Sequence, residues 1–326
     1  MNKKIGLFFG GMSNEHEVSI SSAINVAKNI DQSKYDLAPI LWGKDGHFYL
    51  VPGVDKLDSK KEIVSSDFKK YFDIALPVTH GKYGEDGVLQ AIFEKEKIPY
   101  AGCRVLSSAL CMDKAVFKEL VTGQNIPQVR YIYIDFNLHN KTEREARIRQ
   151  TSNFSLPLFV KPANSGSSVG ITKVENIAKL NRAIKVAKEH DSIVIIEEGL
   201  INHRELEVAI LGNGQLKISE PGELIVAGKF YDYDEKYKRG RTRTIIPAEV
   251  TVKEKLEIKK IAERTYRLCG CSGFARIDFF LKNGVIYLNE INTLPGFTDI
   301  SMYPMLMQKI GISYKELISH IIELAY

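Results

Sequence analysis

The chain has 326 residues, 44% hydrophobic and 26% charged, with a formal net charge of +5. This is the balance of an ordinary globular protein long enough for two or three domains, not of a disordered or fibrous chain. The small positive charge suits anionic ligands such as nucleotides but lacks the clustered Lys and Arg of a nucleic-acid binder, since the densest basic run, Lys236 to Arg243, is short and loop-like.

Cys103, Cys111, Cys269 and Cys271 show no C-x-x-C spacing, which argues against a zinc ribbon or thioredoxin motif. The apolar run after Met1 is too short for a signal-peptide core, and no stretch approaches the roughly 20 apolar residues of a membrane span. A cytoplasmic protein is expected.

Lys4–Phe9 predicts a buried strand that runs into Gly10-Gly11, followed by a helix from about Val18 to Ile30. Strand, glycine turn and helix open a doubly wound α/β domain, in which ligands bind where strands end. Glu15 lies on that connection, where capping the helix is the alternative role. Tyr35–Trp42 and Phe72–Val78 predict further strands, the latter ending in the glycine-bearing loop Thr79 to Gly87 with His80 at its start. A helix over Val88–Lys95 and a short strand at Ile98–Gly102 complete this unit.

A helix is expected from Ser107 to about Thr122, then strand, helix and strand at Val129–Ile134, Lys141–Thr151 and Leu158–Pro162. Lys161 stands alone in the last strand, a costly place for an ammonium without an anionic partner. The small residues Asn164 to Gly170 that follow can close backbone N–H groups over a phosphate. They formally match G-x-S-x-G, but a strand follows where the hydrolase elbow needs a helix. No P-loop sequence occurs. Next come a helix over Glu175–His190, a strand over Ser192–Ile196 ending in Glu197-Glu198, and a hairpin of Glu205–Leu211 with Leu216–Ser219. The charged, tyrosine-rich loop Tyr231 to Thr244 suits a lid over an anionic substrate. Thr251–Leu268 is a long helix.

Gly273 to Ser301 then predicts two strands that break their apolar runs with Arg276, Asp278, Glu290 and Asn292. Period-two alternation puts Arg276 with Asp278, and Glu290 with Asn292, on one face of each strand. A two-residue Asn283-Gly284 turn would separate Asp278 from Glu290. A three-residue Lys282–Gly284 loop, with Leu281 opposite Val285, would place all four on one side, Arg276 facing Glu290, and is the expected arrangement. Asp278, Glu290 and Asn292 offer oxygen ligands suited to Mg²⁺; an internal Arg276–Glu290 salt bridge is the alternative. The lysine, the small-residue loop and the charged loop together point to a polyphosphate.

Several separated motifs resemble the D-alanine–D-alanine ligases of the ATP-grasp superfamily: Phe9-Gly10-Gly11 with Glu15 to Ser19, His80-Gly81 with Gly84 to Gly87, Met112-Asp113-Lys114, Val160-Lys161-Pro162, Gly166 to Gly170, Phe230 to Tyr233 with Lys236-Tyr237, Arg276-Ile277-Asp278 and Asn289 to Gly296. The resemblance implies an ATP-grasp fold of a doubly wound N-terminal α/β unit (1–105) followed by central (106–205) and C-terminal (206–326) α+β units that clasp ATP. It implies ATP contacts from Lys114, Lys161, Ser168, Glu197, Glu198, Leu200, Glu205, Phe230 and Lys236. Two Mg²⁺, replaceable by Mn²⁺, would sit on Asp278, Glu290 and Asn292. Glu15, Ser167, Tyr237 and Arg276 are implied as catalytic, and His80, Gly296 and Ser301 as substrate contacts. The implied product is D-alanyl-D-alanine for peptidoglycan, with D-serine as an alternative second substrate and a homodimer as the assembly. A non-catalytic nucleotide-binding protein of the same fold is the more distant reading.

Overall fold

The computed structural model describes residues 2–166, 169–225 and 243–325. In chain order it runs β1 (Lys3–Gly10), α1 (His16–Asn29), β2 (Tyr35–Trp42), β3 (Phe48–Leu50), β4 (Lys61–Ile63), β5 (Ile74–Pro77), α2 (Val88–Lys95), α3 (Val105–Met112) and α4 (Lys114–Gly123). Then come β6 (Tyr131–Asp135), α5 (Lys141–Gln150), β7 (Leu158–Pro162), β8 (Thr172–Val174), α6 (Leu180–Lys188) and β9 (Ile193–Glu198). The last part holds β10 (Arg204–Leu211), β11 (Lys217–Ile218), β12 (Gly222–Ile225), β13 (Arg243–Ile245), α7 (Val252–Leu268), β14 (Phe274–Lys282), β15 (Val285–Asn292), α8 (Met302–Lys309) and α9 (Tyr314–Glu323).

These strands form three sheets. The first has the order β4-β3-β2-β1-β5, with β1 parallel to β2 and β5 and an antiparallel edge of β3 and β4 that the sequence did not suggest. Ile98–Gly102 contributes a single bridge, Ala75 to Tyr100, rather than a strand. The second sheet is antiparallel, β6-β9-β7-β8, and the third is antiparallel, β13-β12-β10-β14-β15 with β11 beside β10. One core joins the first sheet to the end of the chain, packing Leu7, Phe9 and Val26 with Phe297, Tyr303 and Leu317. The second sheet has its own core of Ile134, Val160, Ile184 and Ile196.

The helix expected over Ser107–Thr122 is two helices. Asp113 has extended backbone (φ −78°, ψ 97°), and its carboxylate accepts from Ala115 and Val116 N–H at 2.9 and 3.1 Å. An aspartate satisfies the open donors of a new helix better than it continues an old one. Lys114 therefore sits on the first turn of α4.

The β14–β15 hairpin corrects the expected turn. Lys282 pairs with Val285 and Leu281 with Ile286, so Asn283 and Gly284 alone make the turn. Both have positive φ, 50° and 76°, as the favoured two-residue hairpin turn demands. Continued evenly, this register would set Asp278 against Asn289 and send Glu290 to the other face. Instead the ladder shifts between Phe279 and Asp278, with Phe279 opposite Leu288 and Asp278 opposite Glu290. Asn289 is the inserted residue of a β-bulge. Beyond it Arg276 pairs with Asn292, not Glu290. The four polar residues share one face as expected, but the extra residue lies in the strand and not in the turn.

Candidate active site

A cavity of about 340 Å³ lies where the three sheets meet, in the size range of small-molecule pockets. Its lining includes Glu15, His80, Lys114, Lys161, Glu197, Glu198, Leu200, Glu205, Arg276, Asp278, Glu290, Asn292, Gly296 and Ser301, so every described residue singled out from the sequence borders it. Ser167, Ser168, Phe230, Lys236, Tyr237 and nearly all of the charged loop lie outside the described residues.

The first sheet supplies the anionic end. Glu15 precedes α1, and its Oε2 lies 2.5 Å from where a Cβ on Gly81 would stand. Gly81 also has φ +73°, so a side chain there would be strained and would displace the Glu15 carboxylate. Glu85 accepts from the Gly81 N–H at 2.7 Å. Burial first, and the Glu15 charge second, push its carboxyl up to about 8. His80 is buried, with Nε2 2.9 Å from Ser22 Oγ and Nδ1 3.1 Å from the Leu294 carbonyl. Burial pushes its pKa down. Ser22 Oγ also lies 3.3 Å from the Phe297 N–H, so α1 holds the Leu294–Phe297 segment against the first sheet.

The second sheet supplies the cationic end. Lys161 has the anionic partner its position demanded: Nζ is 2.7 Å from Glu197 Oε2, and Lys118 Nζ is 2.8 Å from Oε1. Burial would push the Glu197 carboxyl up, but the two ammonium groups outweigh it and hold it at about 2. Lys114 donates to the Ser165 carbonyl at 2.7 Å. Burial lowers its pKa, opposed first by Glu290. Glu198 is held by a fork from Arg130, both bonds 2.7 Å, which with the Ser155 N–H keeps its carboxyl at about 2.

The third sheet supplies Arg276, Asp278, Glu290 and Asn292. Arg276 Nε and Nη2 grip Asp278 at 2.8 Å each, and Asn292 Nδ2 donates to Asp278 Oδ2 at 3.0 Å. The Asp278 and Glu207 charges raise the guanidinium pKa well above its usual value, outweighing burial. Ser301 Oγ accepts from the Thr298 N–H at 2.9 Å and lies close against Gly296.

Sequence reasoning passed over Lys118, Glu85 and Glu207. Lys118 lies four residues after Lys114 on one helix face, and Glu207 lies two after Glu205 in a strand, so ordinary periodicity could have found both. Glu85 had no signal beyond its loop.

Two family models cover most of this chain: D-ala D-ala ligase N-terminus matches residues 4–103 and D-ala D-ala ligase C-terminus matches residues 120–323. The chain belongs to the D-alanine–D-alanine ligase family. A D-alanine–D-alanine ligase of Caldicellulosiruptor bescii is 43% identical to it over 345 residues, covering 99% of this chain and 94% of that protein. Among solved structures of the family's fold, VanG D-Ala:D-Ser ligase from Enterococcus faecalis superposes with a TM-score of 0.88 at 37% identity, covering 99% of each chain. The D-alanine–D-alanine ligase from Bacillus anthracis complexed with ATP gives 0.78 at 30%, covering 99% of this chain and 97% of that one. The α/β ATP-grasp architecture expected from the motifs is the one these relatives share.

Proposed function

We propose that the chain joins two D-alanines into D-alanyl-D-alanine at the expense of ATP, releasing ADP and phosphate, as a step of peptidoglycan synthesis. The observation that carries this reading is one cavity bordered by an anionic end, a lysine-rich end and a strand pair bearing arginine and carboxylates. Units 1–105, 106–205 and 206–326 would supply the first D-alanine site, the phosphate contacts and the metal and lid residues.

Asp278, Glu290 and Asn292 fit Mg²⁺. They offer hard oxygen donors on one face, and Mg²⁺ takes one or two carboxylates and completes its shell with phosphates and water. Among the described residues, no three His, Cys, Asp or Glu side chains form a ready cage. Two Mg²⁺, or Mn²⁺ in their place, would supply charge neutralisation around the transferred phosphoryl group.

The chain's own groups do the rest. Glu15 receives the ammonium of the first D-alanine, with His80 beside it. Lys114 and Lys161 hold nucleotide phosphates, while Glu197, Glu198, Leu200 and Glu205 face the nucleoside. A carboxylate oxygen of the first D-alanine attacks the γ-phosphorus, the bond to ADP breaks, and a D-alanyl phosphate forms. The free amine of the second D-alanine, its carboxylate near Ser301 and Gly296, attacks the acyl carbon. Arg276 stabilises the oxyanion of that tetrahedral intermediate. The intermediate expels phosphate and the amine nitrogen loses its proton. We further propose a cytoplasmic homodimer built through the N-terminal unit; no helix among the described residues is long and apolar enough to cross a membrane.

The likeness to VanG favours D-serine as the competing second substrate. Product analysis with ATP, Mg²⁺ and D-alanine, alone and against D-serine, tests the reading. D-alanyl-D-alanine should dominate the mixture. Predominant D-alanyl-D-serine would move the chain to the sister activity, and absence of D-alanine-stimulated ADP release would reject both.

A further inference from the structure

β10 places Glu207 directly opposite Asp278, and β15 places Glu290 opposite it on the other side. Three carboxylates thus stand in a row across three adjacent strands, on one face. Like charges side by side on a sheet repel, and Glu207 is only 5% exposed. Arg276 balances part of this charge: its Nε is 3.0 Å from Glu207 Oε2 and 2.8 Å from Asp278 Oδ1.

The proposed mechanism gives Asp278 and Arg276 tasks that conflict while they are paired. Both Asp278 oxygens accept from nitrogen donors, Oδ1 from Arg276 and Oδ2 from Arg276 and Asn292. Three of the roughly four lone-pair sites of the Asp278 carboxylate are thus occupied, so a cation there competes with the guanidinium fork, and a buried guanidinium displaced from one carboxylate with no other in reach is strongly penalised. A second carboxylate within reach of the same nitrogen removes that penalty.

We propose that Glu207 is a positioning residue, the alternative carboxylate that retains Arg276 on the cavity wall when Asp278 turns to a divalent cation. This rests on reading Asp278 as a metal ligand and Arg276 as the oxyanion group, and it adds a hand-over between them. Glu207 touches neither substrate nor the reacting atoms in this scheme. It sets where Arg276 stands and lowers the cost of freeing Asp278.

The test is a double-mutant cycle on the full chain, with Mn²⁺ as probe in the presence of a non-hydrolysable ATP analogue and binding read by electron paramagnetic resonance. Glu207→Gln should weaken Mn²⁺ roughly tenfold, within the range by which contacting residues couple. In an Arg276→Met background the same change should have less than about a twofold effect. In turnover, Glu207→Gln should lower kcat far more than it changes KM for D-alanine, and Glu207→Asp should restore part of kcat. Equal Mn²⁺ effects in both backgrounds would mean that Glu207 acts on the metal directly and would overturn the hand-over. Unchanged Mn²⁺ affinity in Glu207→Gln would overturn it as well. Asp278→Asn separates the two layers. Unchanged Mn²⁺ affinity there overturns the metal assignment and the hand-over together, whereas weakened affinity there beside a failed cycle overturns the hand-over alone.

Discussion

Asp278 and Glu290 stand directly opposite each other across β14 and β15, although the hairpin joining those strands turns in two residues. Asn289, inserted as a bulge, reconciles the two facts. Glu290→Gln should remove one carboxylate of that pair and reduce Mg²⁺-dependent ADP release by on the order of a thousandfold, as expected when preorganised charge stabilisation is lost, whereas deleting Asn289 should leave Glu290 directly after Leu288 and still opposite Asp278. Asn283→Ala, at a φ of 50°, should cost only stability, about 1–2 kcal/mol. Denaturant midpoints measured beside steady-state rates separate the two outcomes.

Lys161 and Lys118 share Glu197. Removing that carboxylate leaves two buried ammonium groups, so Glu197→Ala should lower stability by roughly 3–5 kcal/mol. The folded pKa of about 2 lies below the ordinary 4.5, so this contribution is full above about pH 4.5 and is lost as pH falls toward 2. Urea unfolding of the wild type and Glu197→Gln across that window should show a pH dependence in the wild type that the variant lacks.

Glu85 has the opposite sign. Its carboxyl rises from an ordinary 4.5 to about 8, so the folded state keeps a proton that the unfolded state releases. That binding difference lowers stability progressively as pH rises from about 4.5 to 8. Glu85→Gln should remove this decline, leaving the variant relatively more stable at pH 8 than at pH 5. A pH series of thermal midpoints for both proteins would reveal it.

Arg276→Lys should keep a positive charge but lose the planar fork. An expected fall of about a hundredfold in kcat, with nucleotide affinity retained, follows from loss of one oxyanion donor. Turnover compared with equilibrium binding of an ATP analogue decides this.

Much of the site was legible because buried polar residues on strands stand out by alternation. Arg276, Asp278, Glu290 and Asn292 interrupt apolar runs at a spacing that only one face explains, and Lys161 in its apolar strand demands an anion. The identity of that anion was not legible. Glu197 comes from a different strand, brought beside β7 by the sheet order β6-β9-β7-β8, and no local pattern encodes that order. The bulge was hidden for another reason: one inserted asparagine beside other polar residues leaves no compositional trace, and an extra residue in the turn would serve the same alternation. In the fold, the apolar strands β1, β2 and β7 were readable, whereas β3, β4, β12 and β13, of three or four residues each, are too short to show an alternation of their own. Asp113 broke an expected helix because capping at that residue outweighs helix continuation.

The central claim is that the cavity activates a D-alanine carboxylate by phosphorylation. Its most direct measurement is the fate of oxygen from D-alanine labelled with ¹⁸O in its carboxylate, supplied with ATP and Mg²⁺. If a D-alanyl phosphate forms and the second amine displaces its phosphate, each dipeptide made should be matched by one inorganic phosphate carrying one labelled oxygen. Dipeptide formed with unlabelled phosphate would contradict the account.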